Sequence, residues 1–264
     1  LDNSGIREEL KKLPLPYPRS NRGYSPIAIL ESYFVSIWIG ASNFIQSSYL
    51  RYDKVLKEIF GWKEVASYST FSRFFHKFSQ KRNNEVFPQL NKWFLEQLAI
   101  DNITLDLDSS IITRYGEQEG AKRGYNPQKP GRNSHHPIMA FISETRMVAN
   151  SWLRSGNTAA LSNIYNFLEE TFEILKSKKI GLVRADSGFY SDKFFKYFES
   201  KKINYIVSAK LYKPLKLDIQ GIKSWVVVSK GIFVSEINYR VSKSAKLRRI
   251  VVVRQNIKER PKAV

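Results

Sequence analysis

The stretch from 181 to 209 limits the possible folds more than any other part of this chain. Gly181-Leu182-Val183-Arg184-Ala185 reads as a short buried strand that stops at Asp186. Ser187-Gly188 supplies a turn, Ser191 stands where it can cap a helix over 192–200, and 203–209 is a second apolar strand. Strand, helix, strand at this spacing is a βαβ unit, so its two strands lie parallel in one sheet. Asp186 falls at the carboxyl end of the first strand, just before a Gly turn. Open α/β sheets place their ligands there.

A second acidic stretch, Leu105-Asp106-Leu107-Asp108-Ser109-Ser110, alternates apolar and acidic residues with the period of a half-buried strand. Asp106 and Asp108 share one face, Leu105 and Leu107 the other. Two like charges on one strand face repel and add no stability by themselves. Taken alone, the hexamer favours a plain reading in which one carboxylate caps the turn and the other is solvated. With Asp186 it suggests a site that meets a cation, and Asp108 and Asp186 are the pair to follow.

At 264 residues the chain can bury a good core, and 42% hydrophobic and 14% aromatic content indicate a folded protein. The net charge of +19 points to a polyanionic partner, nucleic acid before an anionic membrane surface. With no cysteine there are no disulfides or cysteine–zinc sites, and three histidines are too few for a histidine-rich metal cage. The most apolar run, 27–45, is broken by Glu31, Ser32, Ser36 and Asn43, so it suits a buried amphipathic helix and not a membrane span. The start of the chain carries no signal peptide.

Residues 1–23, punctuated by Pro14, Pro16 and Pro18 and basic at Arg19 and Arg22, read as an extended arm. Helical periodicity then runs from about 26 to 98, with Pro26 in a first turn and Ile27, Leu30, Phe34, Ile37 and Trp38 on one face. A turn near Gly61 and a capped segment from Ser69 suit either a helix-turn-helix offering Arg73, His76 and Lys77 to DNA or a plain bundle with a basic outer face. Strands are expected at 105–108, 111–115, 137–143 and 147–153. A loop over 116–132, rich in Gly, Pro and basic residues, suits close approach to phosphates. His135 and His136 end that loop without acidic or Cys neighbours, which argues against metal binding. Asn157-Thr158 offers a cap to a helix carrying Leu161, Ile164, Leu168 and Leu175. From Lys210 the pattern shifts to short strands at 225–229, 233–239 and 250–253. Residues 240–264 hold nine Lys or Arg against one acid, Glu259, which reads as a DNA-facing β-module.

The runs LDLDSSIITRYGEQEGAKRGYNPQKPGR, AFISETRMVANSWLRSGNT and RADSGFYSDKFF together resemble one branch of the DDE transposases encoded by bacterial insertion sequences. The likeness covers most of 100–255, in order and at family-like spacing, and extends more loosely to the helical residues before it. It implies an α/β (α+β overall) fold. The expected order is a helical DNA-binding region over 1–100, a ribonuclease-H-like mixed sheet with flanking helices over 101–210, and a β-rich basic insertion over 211–264. In such a core the first strand lies beside the fourth.

By the same resemblance Asp108 is the first catalytic and metal-binding acid, Asp186 the second, and Asp106 the weaker candidate. Mg²⁺, with Mn²⁺ as substitute, would be the cofactor. Lys122, Arg123, Lys129 and Arg132 would grip DNA phosphates, as would Arg73, Lys77, Arg248 and Arg249. Arg184 would neutralise the acidic cluster or pair with Asp186 or Asp108. The implied partners are double-stranded DNA, as terminal inverted repeats and target, and a second copy of the chain on that DNA. A membrane is not among them. The implied location is the bacterial cytoplasm, at the nucleoid. The family's third acid, a Glu in a Tyr-x-x-Arg-x-x-x-Glu-x-x-x-Lys segment, has no match before Val264. Glu259 sits beside Pro261 in a basic loop and Glu236 in a strand. The expectation is therefore a chain that ends before its third acid. That leaves two readings, metal-dependent DNA cleavage and strand transfer, or an inactive remnant that only binds DNA.

Overall fold

A computed structural model describes residues 4–19 and 23–256. Arg22 of the arm and Lys258, Glu259, Arg260, Pro261 and Lys262 of the basic tail lie outside the described residues. The chain divides into two compact units, Leu1–Ala99 and Ile100–Val264.

The first unit is helical. Its described helices are α1 (Ile6–Lys12), α2 (Pro26–Trp38), α3 (Phe44–Ser48), α4 (Lys54–Phe60), α5 (Tyr68–Phe75) and α6 (Gln80–Glu96). The amino-terminal arm is thus partly helical where an extended segment was expected. Ile6 and Leu10, one turn apart, are both buried, and Glu8–Lys11 and Glu9–Lys12 pair along the outside.

In α2 the buried face is also not the expected one. Ile29, Leu30, Ser32, Val35 and Ser36 are buried, while Ile37 and Trp38 are exposed. Burial of Glu31 makes the difference. Its carboxylate takes the Arg7 guanidinium and the Trp62 indole N–H (3.1 Å), so a charged residue faces inward with its partners supplied. Among the described residues no helix is long and apolar enough to cross a membrane.

Helix α5 begins after Ser67, whose hydroxyl accepts from the Thr70 N–H, and not at Ser69. Seven residues, 61–67, join α4 to α5, more than the three or four of a tight helix-turn-helix. Arg73, His76 and Lys77 are exposed, as both readings of this segment require.

The second unit is built on a five-stranded sheet of β1 (Asn102–Ser109), β5 (Ile138–Ile142), β6 (Met147–Trp152), β7 (Lys179–Ala185) and β8 (Asn204–Val207), in the order β6-β5-β1-β7-β8. β1 runs antiparallel to β5 and parallel to β7, and β7 runs parallel to β8. Helix α7 (Ile164–Ile174) joins β6 to β7, and α8 (Asp192–Ser200) joins β7 to β8, closing the βαβ unit. This is the ribonuclease-H-like mixed sheet, with its first and fourth strands as neighbours. Ile103, Leu105 and Leu107 of β1 are buried with Ile138, Ala140 and Ile142 of β5. Phe167 and Leu168 of α7 and Phe194 and Phe198 of α8 are also buried.

Two smaller sheets are added. The glycine-rich segment is not a structureless loop, because β3 (Lys122–Arg123) and β2 (Ile112–Thr113) both pair with β4 (Asn133–His135). β4 leads into β5 as β1 leads into β2, so this small sheet prolongs the β1–β5 ladder beyond Ser109. Gly124 and Gly156 let the chain close up here. A Cβ on Gly124 would lie 2.0 Å from the Gly156 carbonyl oxygen, and one on Gly156 2.3 Å from that of Ser134.

Further on, β9 (Val226–Ser229), β10 (Ile232–Tyr239) and β11 (Arg248–Gln255) form an antiparallel sheet in the order β11-β10-β9. It is preceded by a helix with no strong sequence signal, α9 (Lys213–Gln220), which carries Pro214 in its first turn and buries Leu215.

Candidate active site

β1 and β7 bring their carboxyl ends together. In their parallel register Asp106 pairs with Arg184 and Leu107 with Ala185, so Asp108 and Asp186 come next on adjacent strand ends. Both are exposed. Asp108 accepts from the Ser109 N–H (2.8 Å) and the Ser110 hydroxyl (3.0 Å), and Asp186 from the Gly188 N–H (2.8 Å). Gly188 belongs to a 3₁₀ turn, Ser187–Phe189, that Asp186 caps. A Cβ there would sit 2.9 Å from Asp186 Oδ1, so glycine leaves room for the carboxylate. Neither acid has a cationic partner among the described residues.

Asp106 is placed differently. Arg184 grips both of its oxygens, Nε to Oδ1 and Nη2 to Oδ2 at 2.6 Å each, and also donates to Ser143 Oγ at 2.7 Å. Asp106 in turn holds the Arg184 guanidinium above its ordinary pKa. Of the two roles expected for Arg184, neutralising the acidic cluster or pairing with Asp186 or Asp108, the second is not seen, and its carboxylate partner is Asp106.

Behind Asp108 runs a chain of hydrogen bonds that the sequence did not reveal. The Thr158 carbonyl can only accept, so His136 donates to it through Nδ1 (2.5 Å). His136 Nε2 is then the acceptor for the Ser109 hydroxyl at 2.8 Å, and Ser109 Oγ accepts from Arg154 Nη2 at 3.0 Å. Arg154 is buried and also donates to the carbonyls of His136, Ala159, Ala160 and Ser162. Burial lowers its pKa, and peptide oxygens, not a carboxylate, satisfy it. Helix α7 starts at Ile164, and not after Asn157-Thr158, because these carbonyls are turned toward Arg154. The only sequence signal was an Arg at the end of an apolar strand.

His135 and His136 are both engaged by protein groups. Lys122, Arg123, Lys129 and Arg132 are exposed on or beside the small sheet, with Arg132 over the Tyr115 ring at 5.9 Å. Arg248 is not offered outward. Its side chain is 11% exposed, bound to Asp192 (2.6 Å) and Glu199 (2.7 Å) of α8 and lying over the Phe195 ring. Arg249 is exposed and paired with Glu236 at 2.6 Å.

The family model for the Transposase DDE domain group 1 matches residues 2–260, almost the entire chain. The chain belongs to that family. Members of it generally use divalent metal ions. No curated protein matches this transposase-family chain. Among solved structures, piggyBac transposase in a synaptic complex with hairpin DNA is similar at a TM-score of 0.48 and 12% identity. That match covers 94% of this chain and 56% of the other, so the chain spans little more than half the length of that transposase.

Among the described residues no group of three or more His, Cys, Asp or Glu side chains is placed to hold a metal ion. Asp108 and Asp186 offer hard carboxylate oxygens of the kind Mg²⁺ or Mn²⁺ takes. Two carboxylates alone would make only a partial ligand set for such an ion.

Proposed function

We propose that this chain carries the first two acids of a DNA-cleaving and strand-joining site, and that the whole protein moves an insertion-sequence element by cut-and-paste transposition. One observation carries the reading. Two uncompensated carboxylates, Asp108 and Asp186, stand on adjacent strand ends, while the nearby Asp106 is neutralised by Arg184. A divalent ion bound there, Mg²⁺ or Mn²⁺, would supply the positive charge that activates an attacking oxygen and stabilises a leaving one in phosphodiester chemistry.

The chain's own part is positional. Ser109, Ser110 and Gly188 fix one side of each carboxylate by hydrogen bonds. Arg154 and His136 hold Ser109 from behind. The exposed Lys122, Arg123, Lys129 and Arg132 bring positive charge for the DNA backbone, with Arg73 and Lys77 of the helical unit as further contacts. Arg248, committed to α8, is dropped from that set, and Arg249 is a weaker member. The partners in this reading are the element's terminal repeats and target DNA, engaged by two copies of the protein in the cytoplasm.

A second reading is favoured by the lack of a third acid among the described residues, namely DNA binding without cleavage. The test is cleavage of a duplex bearing the element's end, with Mg²⁺ or Mn²⁺, by the wild-type protein and by Asp108→Ala and Asp186→Ala. Metal-dependent cleavage lost in both variants with binding kept supports the enzyme. Binding without cleavage by wild type supports the second reading.

A further inference from the structure

The small sheet past the active-site end of β1 borders an open cavity of about 420 Å³ lined by Arg114, Arg123 and Arg132, with Glu117 as its one acid and Gly116 and Gly131 in its wall. Three guanidinium groups facing one space repel each other, and among the described residues none of them forms an ion pair with a carboxylate.

Arg114 is held in a way that leaves its charge unspent. The Glu119 carbonyl can only accept, so His135 donates to it through Nε2 (2.9 Å). His135 Nδ1 then carries a lone pair and accepts from Arg114 Nε at 3.0 Å. A buried, neutral histidine thus uses the inner N–H of the guanidinium and leaves its terminal amino groups for the cavity. Arg132 is steadied over Tyr115, and Arg123 lies in β3 opposite Asn133. Gly124 and Gly156 let the backbones beside the sheet approach closely, where any side chain would clash. The cavity is therefore built before any ligand arrives.

We propose that Arg114, Arg123 and Arg132 form one pocket for a single phosphate of the DNA backbone, with His135 as the positioning residue for Arg114. The inference rests on the DNA reading above and adds to it a residue, a stoichiometry and a place. Arg114 is six residues beyond Asp108 along a nearly extended path, so the pocket lies no more than about 20 Å from the first acid. At ~3.4 Å per nucleotide the bound phosphate is within about six steps of the one cut. Planar, always-charged guanidinium groups suit this task because they grip phosphate with two N–H groups at once.

The test uses the fact that the salt dependence of DNA binding counts phosphates neutralised, not arginines supplied. Binding of the full chain to a 30-base-pair duplex is measured across a salt series for wild type and for the triple variant Arg114→Ala/Arg123→Ala/Arg132→Ala, with melting curves to check folding. One shared phosphate predicts weaker binding and a slope of log K against log salt reduced by about 0.9. Three separate contacts would reduce it by about 2.7, and that result overturns the pocket. An unchanged slope also overturns it, since the cavity then meets no phosphate. If the triple variant fails to melt cooperatively, Arg132→Ala alone decides: about fivefold weaker binding is expected, and no change refutes the role. A wild-type chain that does not bind the duplex at all would instead sink the DNA reading, and the pocket with it.

Discussion

Two acidic clusters in the second unit make opposite use of the same chemistry. At the α8–β11 contact, Asp192 and Glu199 face Arg248, which donates to both and lies over Phe195, while Tyr205 donates to Glu199 at 2.8 Å. Both carboxylates are held below their ordinary pKa, Glu199 chiefly by the Arg248 hydrogen bonds and Asp192 chiefly by that of Lys196. The Tyr205 hydroxyl is pushed up to about 12, by burial and then by Glu199. That cluster is closed, and it fastens the β-module to the core. At the β1–β7 strand ends, Asp108 and Asp186 have hydroxyl and N–H donors but no cation among the described residues. Two residues back along each strand, the chain has quenched Asp106 with Arg184. The contrast teaches that function is to be sought where a basic chain withholds its positive charge from an acid.

The largest expected effect falls on the open cluster. Asp108→Ala and Asp186→Ala should each lower metal-dependent cleavage of end DNA by at least about a thousandfold while leaving the melting temperature within a few degrees. A loss of stability of several kcal/mol would mean that these acids are structural after all.

Next in size is Arg154→Ala. It removes a donor from four carbonyls and from Ser109, so chemical denaturation should report a loss of about 3 kcal/mol.

Arg248→Ala breaks the closed cluster and should cost about 2 kcal/mol, with cleavage per folded molecule unchanged. Its pH signature has a defined sign. Because Glu199 and Asp192 have lowered folded-state values, their contribution is complete above the unfolded carboxylate range, about pH 5 and higher. It is lost as pH falls through the folded values. Acid denaturation of Arg248→Ala should therefore be less steep than that of wild type.

The smallest effect is expected for Asp106→Asn. This pair is about one-third to one-half exposed and solvent-screened, so the melting temperature should stay close to that of wild type, with cleavage reduced far less than by Asp108→Ala.

What could be read in the sequence followed the strength of the local pattern. Alternation in 105–108 and the βαβ punctuation around Ser187-Gly188 were enough to place Asp108 and Asp186 at strand ends, because a strand's period and a parallel crossover leave little choice. Of the small sheet only β2 falls within an expected strand, 111–115, because Lys122-Arg123 has no apolar pattern and its close approach to Gly156 is made far along the chain. Helix α9 is short, and Pro214 was its only start signal. Arg154 and Arg114 were invisible for a related reason. Their roles depend on peptide carbonyls and a histidine tautomer, which no spacing rule encodes. Arg248 stands in a charge run that reads as DNA-facing, and the acids of α8 that hold it, Glu199 and Asp192, lie 49 and 56 residues earlier in the chain.

The most direct measurement is Mn²⁺ binding followed by electron paramagnetic resonance, with wild type, Asp108→Asn, Asp186→Asn and Asp106→Asn titrated side by side. The account predicts that Asp108→Asn and Asp186→Asn each lose the bound signal and that Asp106→Asn keeps it. Loss in Asp106→Asn with retention in Asp108→Asn would place the metal on the carboxylate assigned here to Arg184, and the central assignment would be wrong.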